Sequence, residues 1–152
     1  IGVNTAAVRR PELLTELADA FGNQCVICSI DARRHAGDWF VTTHGGRELT
    51  ERRVGDWARE AVDRGAGEIL LNCIDTDGTR AGFALEFTDA IAGAVRVPVI
   101  ASGGAGNTDD FVKLFSQTRA QAGLAASILH DGSTTCRAIK QTLAQAGIEV
   151  RL

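Results

Sequence analysis

The chain has 152 residues, a formal net charge of −3 and 45% apolar residues, which is enough for one domain with a buried core. The basic residues form no run, so we expect no nucleic-acid partner, and no apolar stretch reaches the roughly 18–20 residues that cross a bilayer, so we expect no membrane partner. The opening residues lack the pattern of a secretory signal, and free cysteines fit a reducing compartment, so we expect a cytoplasmic protein.

Short apolar strands alternate with amphipathic helices along the chain. Residues 1–3 have the pattern of the end of a strand, which suggests that an upstream part is missing, and processing would explain this start equally well. A helix is predicted over residues 11–21, where the apolar spacing is helical and Pro11 suits a first turn. A strand is predicted over residues 24–30. Residues 39–43 lie between two glycine-containing turns and have hairpin character.

The same alternation continues to the end of the chain. The predicted elements are a helix at 53–64, a strand at 68–73, a helix at 85–94, a strand at 97–101, a helix capped by Asn107 or Thr108 and running to about 115, a strand at 123–126 and a helix at 136–146. Strands separated by such helices predict right-handed βαβ units and a parallel sheet.

Four full βα units follow the opening strand end. An eight-stranded barrel typically takes about 250 residues, so four units do not close one. Residues 1–152 are therefore predicted to form a single α/β domain. It is either a (βα)4-type half of a TIM (βα)8 barrel or an open doubly wound, flavodoxin-like sheet; the half-barrel is favoured because its loops would share one mouth.

Cys25 and Cys28 form a CxxC pair, which is a pattern of zinc and redox sites. Residues three apart on the predicted strand point to opposite faces of the sheet, and no second pair completes a ligand set. We therefore expect neither a metal site nor a cofactor.

The strand ends carry the side chains that suit chemistry, because parallel α/β folds act at the carboxyl ends of their strands. In chain order these ends present Asn4, Asp31, an Asp-Thr-Asp-Gly-Thr run at 75–79, a Ser-Gly-Gly-Ala-Gly turn at 102–106 and Ala-Ser at 126–127. Paired carboxylates can act as general acid and base, and a glycine turn can bring backbone N–H groups to a phosphate. One such motif alone is usually only a turn, but their succession favours a site.

These motifs, with the Arg-Gly-Ala-Gly-Glu-Ile-Leu-Leu run at 64–71, resemble the cyclase subunit of imidazole glycerol phosphate synthase. The match runs through essentially the whole chain and corresponds to the carboxyl-terminal half of that family's barrel. The resemblance implies a reaction of histidine biosynthesis. Ammonia combines with the phosphorylated ribonucleotide PRFAR to give imidazole glycerol phosphate and AICAR. It also implies a glutaminase subunit that docks at the amino-terminal face and supplies the ammonia.

The resemblance also implies roles for individual residues. Asp31 resembles one of two essential acid–base aspartates, and Asp77 resembles a supporting aspartate at the same mouth. Asn4 and Ser102 match positions near the substrate, and Glu68 matches part of a charged gate at the ammonia entrance. The substrate-phosphate site is implied for Gly78, Gly103, Gly104, Ala126 and Ser127. One departure is Ala84, which stands where family members often carry aspartate.

The second essential aspartate and the second phosphate site would lie in the missing half. We therefore expect little activity from the chain alone, and pairing either as a homodimer or with a complementary amino-terminal half, since a half-barrel exposes sheet edges and an apolar inner face. One alternative is a catalytically inactive phosphate-binding or assembly module. A less favoured one is the isomerase of the preceding step, whose related barrel has a similar loop and turn.

Overall fold

One seven-stranded sheet organises residues 1–151, which are the residues that this computed structural model describes. Its strands are β1 (Gly2–Val3), β2 (Ile27–His35), β3 (Asp38–Thr43), β4 (Glu48–Arg53), β5 (Glu68–Cys73), β6 (Val99–Ser102) and β7 (Ala122–Leu124). The helices of the described residues are α1 (Thr5–Arg9), α2 (Glu12–Phe21), α3 (Val54–Asp63), α4 (Leu85–Ala94), α5 (Thr108–Gln117), α6 (Ser127–His130) and α7 (Cys136–Gln145).

The parallel part of the sheet follows the order of the chain. β1 pairs with β2, β2 with β5, β5 with β6 and β6 with β7, all in parallel. A doubly wound sheet needs a point at which the strand order reverses, and this sheet has none among residues 1–151. The barrel-type prediction is therefore confirmed and the flavodoxin-like alternative is wrong, although the sheet remains open because β7 pairs only with β6 among the described strands.

The two faces of the sheet have different surroundings. On β5, Ile69, Leu71 and Cys73 are buried beneath the helices, whereas Leu70 and Asn72 on the other face are only partly covered. The helix-covered side holds the main core, in which the Trp57 ring of α3 is almost completely buried. One covered face and one partly open face are what a segment of a barrel wall shows.

The hairpin β3–β4 extends the sheet beside the end of β2. β3 runs antiparallel to β2 from the pair Asp31–Thr42 to the pair His35–Asp38. β2 is longer than predicted because this hairpin offers it a new hydrogen-bonding partner beyond the point where β1 ends. The hairpin character of residues 39–43 is confirmed.

The start of β2 differs from the prediction. A 3-10 turn takes up Asn23–Cys25, so Cys25 is exposed outside the strand and Cys28 is buried within it. The two thiols therefore have different surroundings, but not for the predicted reason, because only Cys28 belongs to β2. The four cysteines are free, and among the described residues no group of three or more His, Cys, Asp or Glu side chains could hold a metal ion.

The helices agree closely with the periodicity of the sequence, and α4 has the predicted bounds. Asn107 caps α5, because its side chain accepts N–H bonds from Asp109 at 2.9 Å and Asp110 at 3.2 Å. The short helices α1 and α6 were not predicted. In residues 1–151 no helix has the length and apolar character needed to cross a membrane.

Candidate functional site

A row of side chains crosses the carboxyl ends of the parallel strands. The register pairs Asp31 of β2 with Asn72 of β5, Asn72 with Ser102 of β6, and Ser102 with Leu124 of β7. Register partners in a parallel sheet point to the same face, so these four residues share the partly open face. The polar ones form a continuous edge to the mouth of the open barrel.

Asp31 is held by groups from three other parts of the chain. Its Oδ2 accepts a hydrogen bond from Asn4 Nδ2 at 2.9 Å, and its Oδ1 accepts one from Asn72 Nδ2 at 3.1 Å. The hydroxyl of Thr42 donates to the Asp31 carbonyl at 3.1 Å. The Asp31 residue is only 7% exposed, so its carboxylate is fixed rather than free in solvent.

The predicted phosphate residues surround a single small pocket. This pocket has a volume of about 110 Å³, and its lining includes Asp77, Gly78, Ser102, Gly103, Gly104, Ala126 and Ser127. Asp77 and Ser102 therefore lie with the five residues to which the resemblance assigns phosphate binding. Asp31 does not line this pocket, so the acid–base candidate and the phosphate candidate occupy different parts of the mouth.

Close backbone contacts explain the two central glycines of the turn. Gly103 has φ +92°, and a Cβ there would lie 2.5 Å from the carbonyl oxygen of Cys73. Gly104 has φ +98°, and its Cβ would lie 2.1 Å from the carbonyl oxygen of Gly82. Any side chain at either position would push the strand-end loops apart.

Hydrogen bonds tie the loop of residues 74–82 to the glycine turn. The amide of Gly82 donates to the carbonyl of Gly104 at 2.8 Å, and the hydroxyl of Thr76 donates to the carbonyl of Gly103 at 3.2 Å. Two of the loops that line the pocket are thus joined directly through their backbones.

An ion pair joins the same loop to the segment after α6. The guanidinium of Arg80 contacts the carboxylate of Asp131. Hydrogen bonds from the Ser133 hydroxyl and backbone N–H lower the pKa of Asp131 to about 2, and Arg80 adds to this effect. The loop of residues 74–82 is therefore joined to the glycine turn by backbone hydrogen bonds and to the segment after α6 by an ion pair.

Glu68 lies away from this cluster. It begins β5, in register with Ile27, whereas Asn72 lies four residues further along the strand, a separation of roughly 13 Å at 3.3 Å per residue. Glu68 therefore lies at the amino-terminal end of the sheet, opposite the mouth, and its role at an ammonia entrance stays a prediction.

Sequence reasoning missed Asn72, Thr42 and the Arg80–Asp131 pair. Asn72 had a detectable signal, because it is the last residue of β5 whose side chain points away from the helices and it stands beside the strand end that carries Asp31. Thr42 reaches Asp31 because of the register between β2 and β3. Asp131 reaches Arg80 from the loop that follows the four-residue helix α6. No local pattern marks such contacts.

A sequentially ordered parallel sheet with helices on one side, and with polar side chains and glycine turns at its carboxyl ends, defines an α/β-barrel protein, present here as a partial barrel. The family model described as "Histidine biosynthesis protein" matches residues 1–135. The chain belongs to this family.

Several curated relatives resemble nearly the whole chain, and each is named "Imidazole glycerol phosphate synthase subunit HisF". The protein of Halalkalibacterium halodurans is 54% identical over 153 residues, covering 99% of this chain and 61% of the relative. That of Myxococcus xanthus is 52% identical over 151 residues, covering 99% and 60%. That of Bacillus cereus is 48% identical over 153 residues, covering 100% and 61%. The chain spans about three fifths of the length of these relatives.

Proposed function

We propose that the chain is the carboxyl-terminal segment of a cyclase barrel of imidazole glycerol phosphate synthase. The complete barrel would join ammonia to PRFAR and release imidazole glycerol phosphate and AICAR. The relatives at 48–54% identity support this assignment and disfavour the isomerase of the preceding step, because each carries the name of the synthase subunit.

One observation supports the proposal above the others. Gly78, Gly103, Gly104, Ala126 and Ser127 come from three separate loops, and all five line the same pocket at the carboxyl ends of the strands. A pocket built from glycine backbone suits an anionic group, since the peptide N–H groups can approach it without side chains in between. It would hold one phosphate of the substrate.

The chemical step would take place beside this phosphate, at Asp31. Its carboxylate would move a proton on the substrate, while Asp77 would support the reacting end from the pocket side. Asn4 and Ser102 would approach the substrate between these two parts of the mouth. Glu68, at the opposite end of β5, would stand at the ammonia entrance, where a glutaminase subunit would dock.

The chain would need a second segment to act. Acid–base catalysis across a barrel mouth takes a second carboxylate and a second phosphate site, which we assign to the part of the relatives that this chain does not cover. β7 has no second partner strand among residues 1–151, and Leu124 on it is exposed. Both features support such pairing, because an unpaired strand beside apolar surface favours association. The partner would be a complementary amino-terminal half or a second copy of this chain.

The test is ammonia-dependent turnover of PRFAR by this chain, alone and with the remaining amino-terminal part of the Halalkalibacterium halodurans relative. We expect turnover from the combination and little from the chain alone. Asp31→Asn should abolish turnover, whereas Asp109→Asn, on the exposed first turn of α5, should leave it unchanged. A folded combination that binds phosphate without turnover would favour the inactive phosphate-binding module instead.

A further inference from the structure

The side-chain carboxamides of Asn4 and Asn72 both hydrogen-bond to the carboxylate of Asp31. Each donates one N–H bond to a different carboxylate oxygen, at 2.9 Å from Asn4 and 3.1 Å from Asn72. Asn4 follows β1 and Asn72 is the last residue but one of β5, and these are the two strands that flank β2 in parallel. The side chain of Asp31 is thereby fixed by the same neighbours that fix its backbone.

This arrangement leaves two polar atoms without partners. Asn4 Oδ1 and Asn72 Oδ1 are both buried, and neither has a hydrogen-bond partner among the described residues. An unsatisfied buried acceptor raises the free energy of the folded state. The two hydrogen bonds to Asp31 are therefore formed at the expense of the two amide oxygens. Turning either carboxamide over would place its oxygen against a carboxylate oxygen, where no hydrogen bond can form.

Asn72 also connects Asp31 to the phosphate pocket. Its Oδ1 is directed toward the glycine turn, where a Cβ on Gly103 would lie 3.2 Å away, and Gly103 lines the pocket. The side chain of Asn72 thus stands between the two parts of the mouth and contacts the carboxylate of one.

We propose that Asn72 is a positioning residue for Asp31: its carboxamide holds the carboxylate in the one orientation that reaches the substrate. This inference rests on the proposed function, because it takes Asp31 to be an acid–base group. Asn72 touches Asp31 and acts on the reaction through it. Loss of the donor would leave one carboxylate oxygen unheld, and a displacement of about 1 Å in a reacting group can cost on the order of a hundredfold in rate.

The test is made in a complete barrel, in which this chain replaces the matching region of the Halalkalibacterium halodurans relative. Asn72→Leu removes the donor at similar volume, Asn72→Gln restores a donor on a longer arm, and Leu70→Val changes the same face of β5 two residues earlier. We expect kcat to fall roughly 10–100-fold in Asn72→Leu with KM changed less than about threefold, partial recovery in Asn72→Gln and wild-type kinetics in Leu70→Val.

The outcomes separate this inference from the proposed function. An unsubstituted chimera without turnover overturns both. An active chimera whose Asn72→Leu variant keeps its kcat overturns the positioning role alone. A variant in which kcat falls only in proportion to the folded fraction, measured by its cooperative unfolding transition, assigns Asn72 a structural role and also overturns the inference.

Discussion

The amide of Gly82 donates a hydrogen bond to the carbonyl of Gly104 at 2.8 Å. The carbonyl oxygen of Gly82 also lies so close to Gly104 that it would be only 2.1 Å from a Cβ at that position. The loop after β5 and the turn after β6 therefore touch backbone to backbone. The shape of the pocket depends on this contact, because residues of both loops line it.

Gly104→Ala should lower the free energy of unfolding more than the same substitution at a glycine with open space around it. The new methyl group would meet the Gly82 carbonyl at 2.1 Å in addition to the strain of φ +98°. Gly132→Ala is the matched control, because Gly132 also has a positive φ of +76° but has nothing within 4 Å of a Cβ. In urea unfolding we expect Gly132→Ala to cost about 1–2 kcal/mol and Gly104→Ala to cost clearly more. Equal losses would mean that the loops separate easily.

The carboxyl of Asp131 should titrate far below its ordinary range. Hydrogen bonds from Ser133 lower the pKa to about 2 from an ordinary value of 3.8. Because the folded pKa lies below the unfolded one, the stabilisation is present above pH 4 and is lost as the pH falls toward 2. Carboxyl carbon shifts in NMR would follow this titration.

Ser133→Ala should raise the midpoint of Asp131 toward its ordinary value. Ser116→Ala is the control, since the Ser116 hydroxyl donates only to carbonyls of its own helix. A midpoint near 4 in the unsubstituted protein would show that Ser133 and Arg80 do not hold this carboxylate in solution.

The four thiols should react at two very different rates. Burial raises the pKa of Cys28 to about 12, against a weak opposing effect of the Trp57 indole, so at pH 8 only about one thiol in 10,000 is ionised. Cys73 is also buried, whereas Cys25 and Cys136 are exposed. A disulfide reagent at pH 8 should modify Cys25 and Cys136 quickly and the other two only after unfolding. Rapid modification of Cys28 in the native protein, located by peptide mass spectrometry, would contradict its burial.

The cap of α5 offers a simple measure of local stability. Asn107→Ala removes a side chain that accepts two backbone N–H bonds, and should cost about 1 kcal/mol in urea unfolding. Asn107→Asp keeps an acceptor at the cap and should stay close to the original stability. A cost as large in the aspartate variant as in the alanine variant would rule out the capping explanation.

Local patterns predicted those parts of the fold that local forces determine. β5 and α4 were predicted with their observed bounds because a continuous apolar run and a helical stripe marked them clearly. β2 extends to His35 only because the hairpin lies beside it, which is information from outside the strand. The helices α1 and α6 have five and four residues, too few for a periodic pattern.

The candidate site shows the same division. The glycine turn and Asp31 could be found at strand ends, since chemistry in parallel sheets concentrates there. The hydrogen bond from Asn72 to Asp31 depends on the register between β2 and β5. Only the three-dimensional structure shows that the amide oxygens of Asn4 and Asn72 lack hydrogen-bond partners among the described residues. Sequence alone therefore indicated the proposed acid–base group but not the asparagine that hydrogen-bonds to it.

The most direct test of the central claim is calorimetric titration of the chain with inorganic phosphate, with its oligomeric state measured on the same sample. Gly78→Asp, at a position where nothing lies within 4 Å of a Cβ, and Ser127→Asp each place a carboxylate in the pocket lining, from two different loops. We predict saturable binding with one phosphate per chain, abolished in both variants while their circular dichroism remains that of the original protein. A well-folded unsubstituted chain that binds no phosphate would contradict the account, and would leave the glycine turn as a structural feature only.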